Sequence, residues 1–212
     1  MGAGDQVALF RGNRPDYLEL KWGIWWAGAV AVPIYAKLHP RDAAWILQHS
    51  GAAKVFADAA FAPGLAATEA TRGPVAQICT DTAFLGDPAL QAAAIAPREE
   101  SDPGWLFYTS GTTGRPKGVV LGNWQLRWAA LGCLASVHAV NTDDVMLDPA
   151  PLSHGGGLYY LPWVLQGGLN VVPASGRFDA LECLALAAHW RNASFFCRTH
   201  HGPPPGGSGQ SR

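Results

Sequence analysis

Strand-like and helical patterns alternate along this chain, and that alternation limits the fold more than any other feature. "RPDYLELKWGIWWAGA", residues 14–29, carries apolar residues at helical spacing, with Asn13 as its expected cap and Pro15 in its first turn. "VAVPI", residues 30–34, follows as a short buried strand. "HPRDAAWILQHSG" reads as a helix stopped by Gly51, "AKVFAD" as the next strand. A helix around Leu65 and a strand "VAQIC" come after it. Residues 86–103 are polar and proline-containing after a short alanine run, and read as a surface connector. The second half repeats the pattern. "GWLFYT", "GVVL", "DVMLDPA", "NVV" and "ASFF" are the expected strands, and "NWQLRWAALGCLASVHA", "GGLYYLPWVLQGG" and "FDALECLALAAHW" the helices. Strands alternating with helices predict an α/β fold around a mainly parallel sheet.

Composition bounds the function. With 49% hydrophobic and 15% charged residues the chain can bury a core. A formal net charge of −1 gives no electrostatic case for nucleic acid or an anionic membrane. Cys79, Cys133, Cys183 and Cys197 form no C-x-x-C pair, so they are expected to be reduced, buried thiols of a cytoplasmic protein rather than a zinc or redox site. "MGAGDQVALF" lacks the basic and apolar segments of a signal peptide. Gln6 stands where a myristoylation motif asks for Ser or Thr. The apolar run Leu20–Ile34 holds Lys21 and Pro33 and is too short to span a membrane.

The chemistry-bearing stretch is "FYTSGTTGRPKGVV", residues 107–120. Phosphates are held by concave arrays of N–H groups, hydroxyls and a cation, and glycine lets the backbone approach closely. "TSGTTG" offers four hydroxyls in six residues, with Gly111 and Gly114 as pivots and Lys117 three residues on. It is not a G-x-x-x-x-G-K-[ST] loop, because Pro116 precedes the lysine and Gly118 follows it. Pro116 also opposes a helix starting directly off the loop. The plain alternative is a Gly/Thr-rich turn between two strands, and the full string is far more specific than such turns require. The expectation is a strand, an exposed loop and a second strand, with Lys117 near the loop hydroxyls.

Residues 107–121 resemble the phosphate-loop signature of the adenylate-forming enzymes, among them acyl-CoA synthetases, firefly luciferase and the adenylation domains of peptide synthetases. "NRPDYLELKWGIWWAGAVAVPIYAKLHPRDAAWIL", residues 13–47, is similar to the early part of acyl-CoA ligases. "PAPLSHGGGLY", residues 149–159, resembles the Pro-Leu-x-His-x-x-Gly segment of the same family. The resemblance implies the first part of that family's large N-terminal domain over residues 1–197, with residues 198–212 as a tail.

It also implies a chemistry. ATP activates a carboxylic acid as an acyl-adenylate with the help of Mg²⁺, and CoA then takes the acyl group. Thr109, Ser110, Gly111, Thr112, Thr113 and Gly114 would hold the ATP phosphates, and Lys117 would add charge near them. His154, Gly155 and Gly156 would lie at the acyl-substrate pocket. Of the residues themselves, His154 has a plainer reading as a cap on the helix starting near Gly156, and Gly155, Gly156 and Gly157 either leave room for a substrate or keep that helix close. A carboxylate nucleophile needs no base, so no general-base role falls to His154. Asp143 and Asp144 point to opposite faces and form no dyad, His189 reads as a surface residue, and His200 with His201 makes no convincing metal pair.

Three family segments are not found in these residues: the adenine-side Tyr-Gly-x-Thr-Glu pattern, the ribose-side Ser/Thr-Gly-Asp, and the C-terminal lysine domain. "RTHHGPPPGGSGQSR" contains no aliphatic or aromatic residue and is expected to be either a disordered tail or a departure from the ancestral reading frame near Cys197. Two expectations therefore stand side by side: an acid–CoA ligase, or a non-catalytic portion of one. No oligomeric state is read from the sequence.

Overall fold

The computed structural model describes residues 2–68, 77–85, 87, 93–109 and 115–196. Six strands form one sheet in the order β4-β3-β1-β2-β5-β6. These are β1 (Gln6–Phe10), β2 (Val30–Ile34), β3 (Lys54–Ala57), β4 (Gln77–Cys79), β5 (Pro103–Thr109) and β6 (Lys117–Gly122). The first five are parallel neighbours, and β6 returns antiparallel to β5. A second, parallel sheet has the order β8-β7-β9, with β7 (Val145–Leu147), β8 (Leu169–Val171) and β9 (Ala193–Phe195). The α/β architecture with mainly parallel pairing is as the alternation predicts.

One strand did not emerge from the sequence reading. "QVALF" is β1, which lies between β2 and β3, with Ala8 opposite Val32 on one side and Val55 on the other. Val7, Ala8, Leu9 and Phe10 are all buried. A strand covered on both faces shows no apolar–polar alternation, so its pattern carries no period of two.

The helices explain that double burial. Helix α1 (Pro15–Trp26) buries Tyr17, Leu20, Lys21 and Ile24, the i, i+3, i+4, i+7 stripe, against Val7, Leu9 and Ala31. Helix α2 (Pro40–Ser50) packs Ala43, Ile46 and Leu47 on the opposite face against Ala8, Phe10, Val32 and Ile34. His39 caps α2 by accepting from the Arg41 N–H, and Gly51 ends it at φ 70°, where a side chain would be strained. Helix α3 (Ala62–Ala66) adds Leu65 to that face. Residues 93–102 form no helix or strand and lie against the end of α1, where Trp26 Nε1 donates to Ala93 O and Ala96 N to Trp26 O.

Helix α4 (Asn123–Ser136) joins the two sheets through Leu126 and Ala130, which pack with Trp105, Met146, Tyr160 and Trp163. The expected helix over residues 156–168 is two pieces, α5 (Gly156–Tyr159) and α6 (Leu161–Gln166). Pro162 lacks the N–H that would continue one into the other. Helix α7 (Ala180–His189) starts at Asp179, whose carboxylate accepts from the Glu182 N–H. No helix among the described residues is long and apolar enough to cross a membrane. Residues 198–212 lie outside the described residues.

Asn13 does not cap α1, whose capping position is Arg14, which makes no side-chain capping bond. Its amide instead reaches across to the chain after β7. Nδ2 donates to Ala150 O at 2.6 Å and to Asp148 O at 3.3 Å, and Oδ1 accepts from Leu152 N at 3.0 Å. Backbone groups at 148–152 therefore find partners that no local structure supplies. Asn13→Ala is expected to cost about 2–4 kcal/mol in urea unfolding, from three bonds at about 0.5–1.5 kcal/mol each. A cost below about 0.5 kcal/mol would mean that this turn holds itself.

Candidate functional site

The glycine-hydroxyl stretch begins and ends as predicted. Thr109 closes β5, Lys117 opens β6, and the two pair directly across the hairpin. Both side chains are exposed. Ser110, Gly111, Thr112, Thr113 and Gly114 lie outside the described residues, so the structure speaks for the two frame positions and not for the loop between them.

The base of this hairpin is pinned. Tyr108 is buried, and its hydroxyl shares a 2.7 Å hydrogen bond with His49 Nδ1 on α2. Trp45 stacks on the same imidazole with centroids 4.6 Å apart. Gly118 lies opposite Tyr108, and a Cβ there would come within 3.0 Å of the phenol ring. Glycine at 118 thus makes room for the ring that anchors the hairpin. Neither Tyr108 nor His49 was singled out from sequence, since nothing local marks a contact 59 residues apart.

His154 is brought to the same end of the sheet. Its ring is half-buried and packs edge-on against Tyr35 at 5.2 Å and Phe107 at 5.6 Å between centroids. Phe107 precedes Thr109 by two residues, and Tyr35 directly follows β2. Ser153 Oγ and His154 Nδ1 are in hydrogen-bond contact at 3.0 Å. Burial pushes the imidazole below its ordinary pKa, so it is neutral at neutral pH. The helix-cap alternative does not hold: α5 has no side-chain capping bond, and His154 contributes only backbone, its carbonyl accepting from Gly157 N.

The glycines after His154 serve mainly close packing. A Cβ on Gly156 would lie 2.9 Å from Ala150 O and 3.0 Å from Pro151 O. One on Gly157 would strike Leu152 O and come within 2.9 Å of both Lys21 Nζ and Trp105. Of the two roles weighed from sequence, holding the helix close is what Gly156 and Gly157 do. Gly155 differs, facing the ring of Phe196 at 3.1 Å.

Two further buried groups border this turn. Asp148 is 1% exposed, and neither carboxylate oxygen has a hydrogen-bond partner among the described residues. Desolvation raises its pKa to about 8. Lys21 is fully buried beneath the turn. The sequence marked neither: Asp148 sits in a strand-like run, and Lys21 was noted only as a charge in an apolar segment. Asp143 is exposed and Asp144 buried, and His189 is exposed, as expected. Among the described residues, no three His, Cys, Asp or Glu come together as a metal site.

A doubly covered parallel sheet with a glycine-hydroxyl hairpin at its edge, and a histidine turn beside it, defines an α/β domain of the adenylate-forming kind. The chain belongs to the AMP-binding enzyme family, whose profile matches residues 1–197. It is 35% identical to the crotonobetaine/carnitine–CoA ligase of Escherichia coli O139:H28 over 92% of its own length and 39% of that relative. The chain thus spans about two fifths of the length of such curated relatives. Among solved structures it resembles the N-terminal domain of FACL13 from Mycobacterium tuberculosis, with TM-score 0.77 and 29% identity over 89% of this chain and 48% of that one. ATP-bound MatB from Rhodopseudomonas palustris shares the fold, with TM-score 0.78 and 24% identity over 90% and 39%.

Asp148 carries a testable pH dependence. A carboxyl raised to about 8 in the fold binds a proton that the unfolded chain gives up near pH 4. Stability linked to this proton is full below that unfolded value and is lost as pH rises through about 8. Asp148→Asn removes the titration. Urea unfolding should show the wild type losing stability relative to Asp148→Asn between pH 5 and pH 9. A difference that does not change with pH would mean that Asp148 titrates alike in both states.

Proposed function

We propose that these residues form part of an acid-activating, AMP-forming CoA ligase, and that Thr109, Ser110, Gly111, Thr112, Thr113, Gly114 and Lys117 hold the β- and γ-phosphates of ATP. The observation that carries the reading is a juxtaposition. Thr109 and Lys117 frame the hairpin, and His154, from 37 residues beyond Lys117, packs on Phe107 in the same strand. A phosphate end and an acid end then meet at the C-terminal edge of β5.

In this reading a carboxylate oxygen attacks the α-phosphorus of ATP, the bond to pyrophosphate breaks, and an acyl-adenylate remains. Charge builds on the phosphoryl oxygens and on the leaving pyrophosphate. Lys117 and the loop hydroxyls stabilise it where it develops. The thiol of CoA then attacks the acyl carbon and AMP departs. His154 is neutral, so it would orient the acid by a hydrogen bond rather than fix it as an ion pair. Its Nδ1 meets Ser153, which leaves Nε2 for a substrate oxygen. Gly155 and Gly156 border that pocket, Gly156 through the backbone it keeps close. With no acidic cluster among the described residues, Mg²⁺ would enter on the phosphates of ATP, which suits an ion that keeps much of its water. The partner is a small-molecule carboxylic acid, and the compartment the cytoplasm.

The adenine-side, ribose-side and C-terminal lysine segments of the family are not found in these 212 residues. Positioning contributes about 7–11 kcal/mol to such barriers, so a site without those groups loses most of its rate. Two outcomes are expected in ATP–pyrophosphate exchange with a panel of short, medium, long and aromatic acids. The 212-residue chain by itself gives no acid-dependent exchange above a Lys117→Ala control. In a polypeptide joining these residues to the missing segments, Lys117→Ala, Thr112→Val and Thr113→Val each lower exchange about ten- to a hundredfold, the loss of one charge-assisted hydrogen bond. Full exchange in all three variants would make the loop structural.

A further inference from the structure

Lys21 sits where an apolar residue would be expected. It occupies the buried stripe of α1 between Leu20 and Ile24 and is fully buried. Among the described residues no carboxylate forms an ion pair with it. Its Nζ lies 3.5 Å from the centroid of the Trp105 ring, with Trp25 at 5.0 Å and Tyr160 at 5.4 Å. Desolvation lowers its pKa well below the ordinary value. Burying an amine without a countercharge is costly, and methionine would fill the same volume without that cost. What methionine cannot do is donate a hydrogen bond.

Lys21 Nζ makes one, to Gly157 O at 2.7 Å. Gly157 N in turn donates to His154 O at 2.9 Å. The turn they brace leads into α5, a helix of four residues that is too short to hold its own geometry. Gly157 is the only residue type that fits beneath the amine, since a Cβ would meet Nζ, Trp105 and Leu152 O. The contact joins α1 to a turn 136 residues away.

We propose that Lys21 is a positioning residue: its amine, boxed by Trp25, Trp105 and Tyr160, holds Gly157 and through it sets where His154 stands between Tyr35 and Phe107. Its importance for catalysis rests on the reading of His154 as the substrate-side residue. Its effect on His154 does not, and can be seen with no substrate present.

The experiment is an NMR titration of the histidine ring carbons in the 212-residue chain, in the wild type and in Lys21→Met and Lys21→Gln. In the wild type His154 titrates below the ordinary imidazole value, because its ring is half-buried. In Lys21→Met the turn relaxes, the ring gains water, and its midpoint rises by about half a unit or more. Lys21→Gln keeps a donor without the amine and returns His154 toward the wild-type value, a rescue that a packing role would not produce. A folded Lys21→Met with an unmoved His154 overturns the proposal, and so does a Lys21→Gln that behaves as Lys21→Met. Should the methionine variant not fold, the wild type decides. Slowly exchanging Lys21 amine protons with cross-peaks to Gly157 Hα support the hold, and freely exchanging ones refute it. Adding candidate acids with ATP to the polypeptide that joins these residues to the adenine, ribose and lysine segments tests the other reading separately: His154 unmoved there by every acid would remove it from the substrate side while leaving the Lys21 hold intact.

Discussion

The turn at residues 148–157 satisfies only part of its own backbone, and side chains from a distant part of the chain satisfy more of it. Among the described residues, two side-chain donors reach it: the Asn13 amide, just after β1, and the Lys21 amine, within α1. Asn13 also accepts from Leu152 N, which makes it a two-way clamp. Unpaired backbone groups in a buried turn would each cost on the order of 1–3 kcal/mol, so these side chains are held to their places by the turn as firmly as they hold it. The apolar contacts of Trp105, Met146, Tyr160 and Trp163 pack at the same joint.

The main sheet has a point where its strand order reverses. The chain runs from β1 to its neighbour β2 and then crosses back to β3 on the other side, with α1 and α2 on opposite faces. In open α/β sheets the crevice at such a point commonly receives a ligand. Here it is filled by the protein's own charges. Arg11 is 3% exposed, its Nε donates to Asp58 at 3.2 Å, and its Nη2 donates to Asp16 at 2.9 Å. Asp58 also accepts from Gly12 N, and Asp16 from the Thr82 hydroxyl. Removing either side of so buried a pair would strand a charge, so the network is there to stay. The chemistry-bearing residues lie instead at the far edge, where β5 turns into the antiparallel β6.

That edge combines a fixed base with an open end. Tyr108, His49 and Trp45 lock the last turn of β5 to α2, while Thr109 and Lys117 face solvent one residue further on. In the proposed reading the phosphate-holding residues need such a footing, because the geometry of donors is only as good as the strands that carry them. His154 gains from the same footing through Phe107.

Local chemistry was legible in the sequence. Pro15 and Gly51 marked helix ends, "VAVPI" and "GWLFYT" marked strands, and the ordered string from Thr109 to Lys117 carried the family, because each signal lies within a few neighbouring residues. Central strand β1 escaped because burial on both faces erases its alternation and, unlike "VAVPI", it carries only one β-branched residue. Asn13 was read as a helix cap because a cap is the local use of an asparagine; its true partners lie 135 to 139 residues away. Asp148 carried no signal, and Lys21 only that of a charge in an apolar run, since a buried amine or carboxyl is defined by what surrounds it. Sequence by itself determined the elements and the hydroxyl-rich hairpin. Only the tertiary structure decided which polar side chains would be taken out of water, because desolvation and long-range hydrogen bonds exist only once distant segments have met.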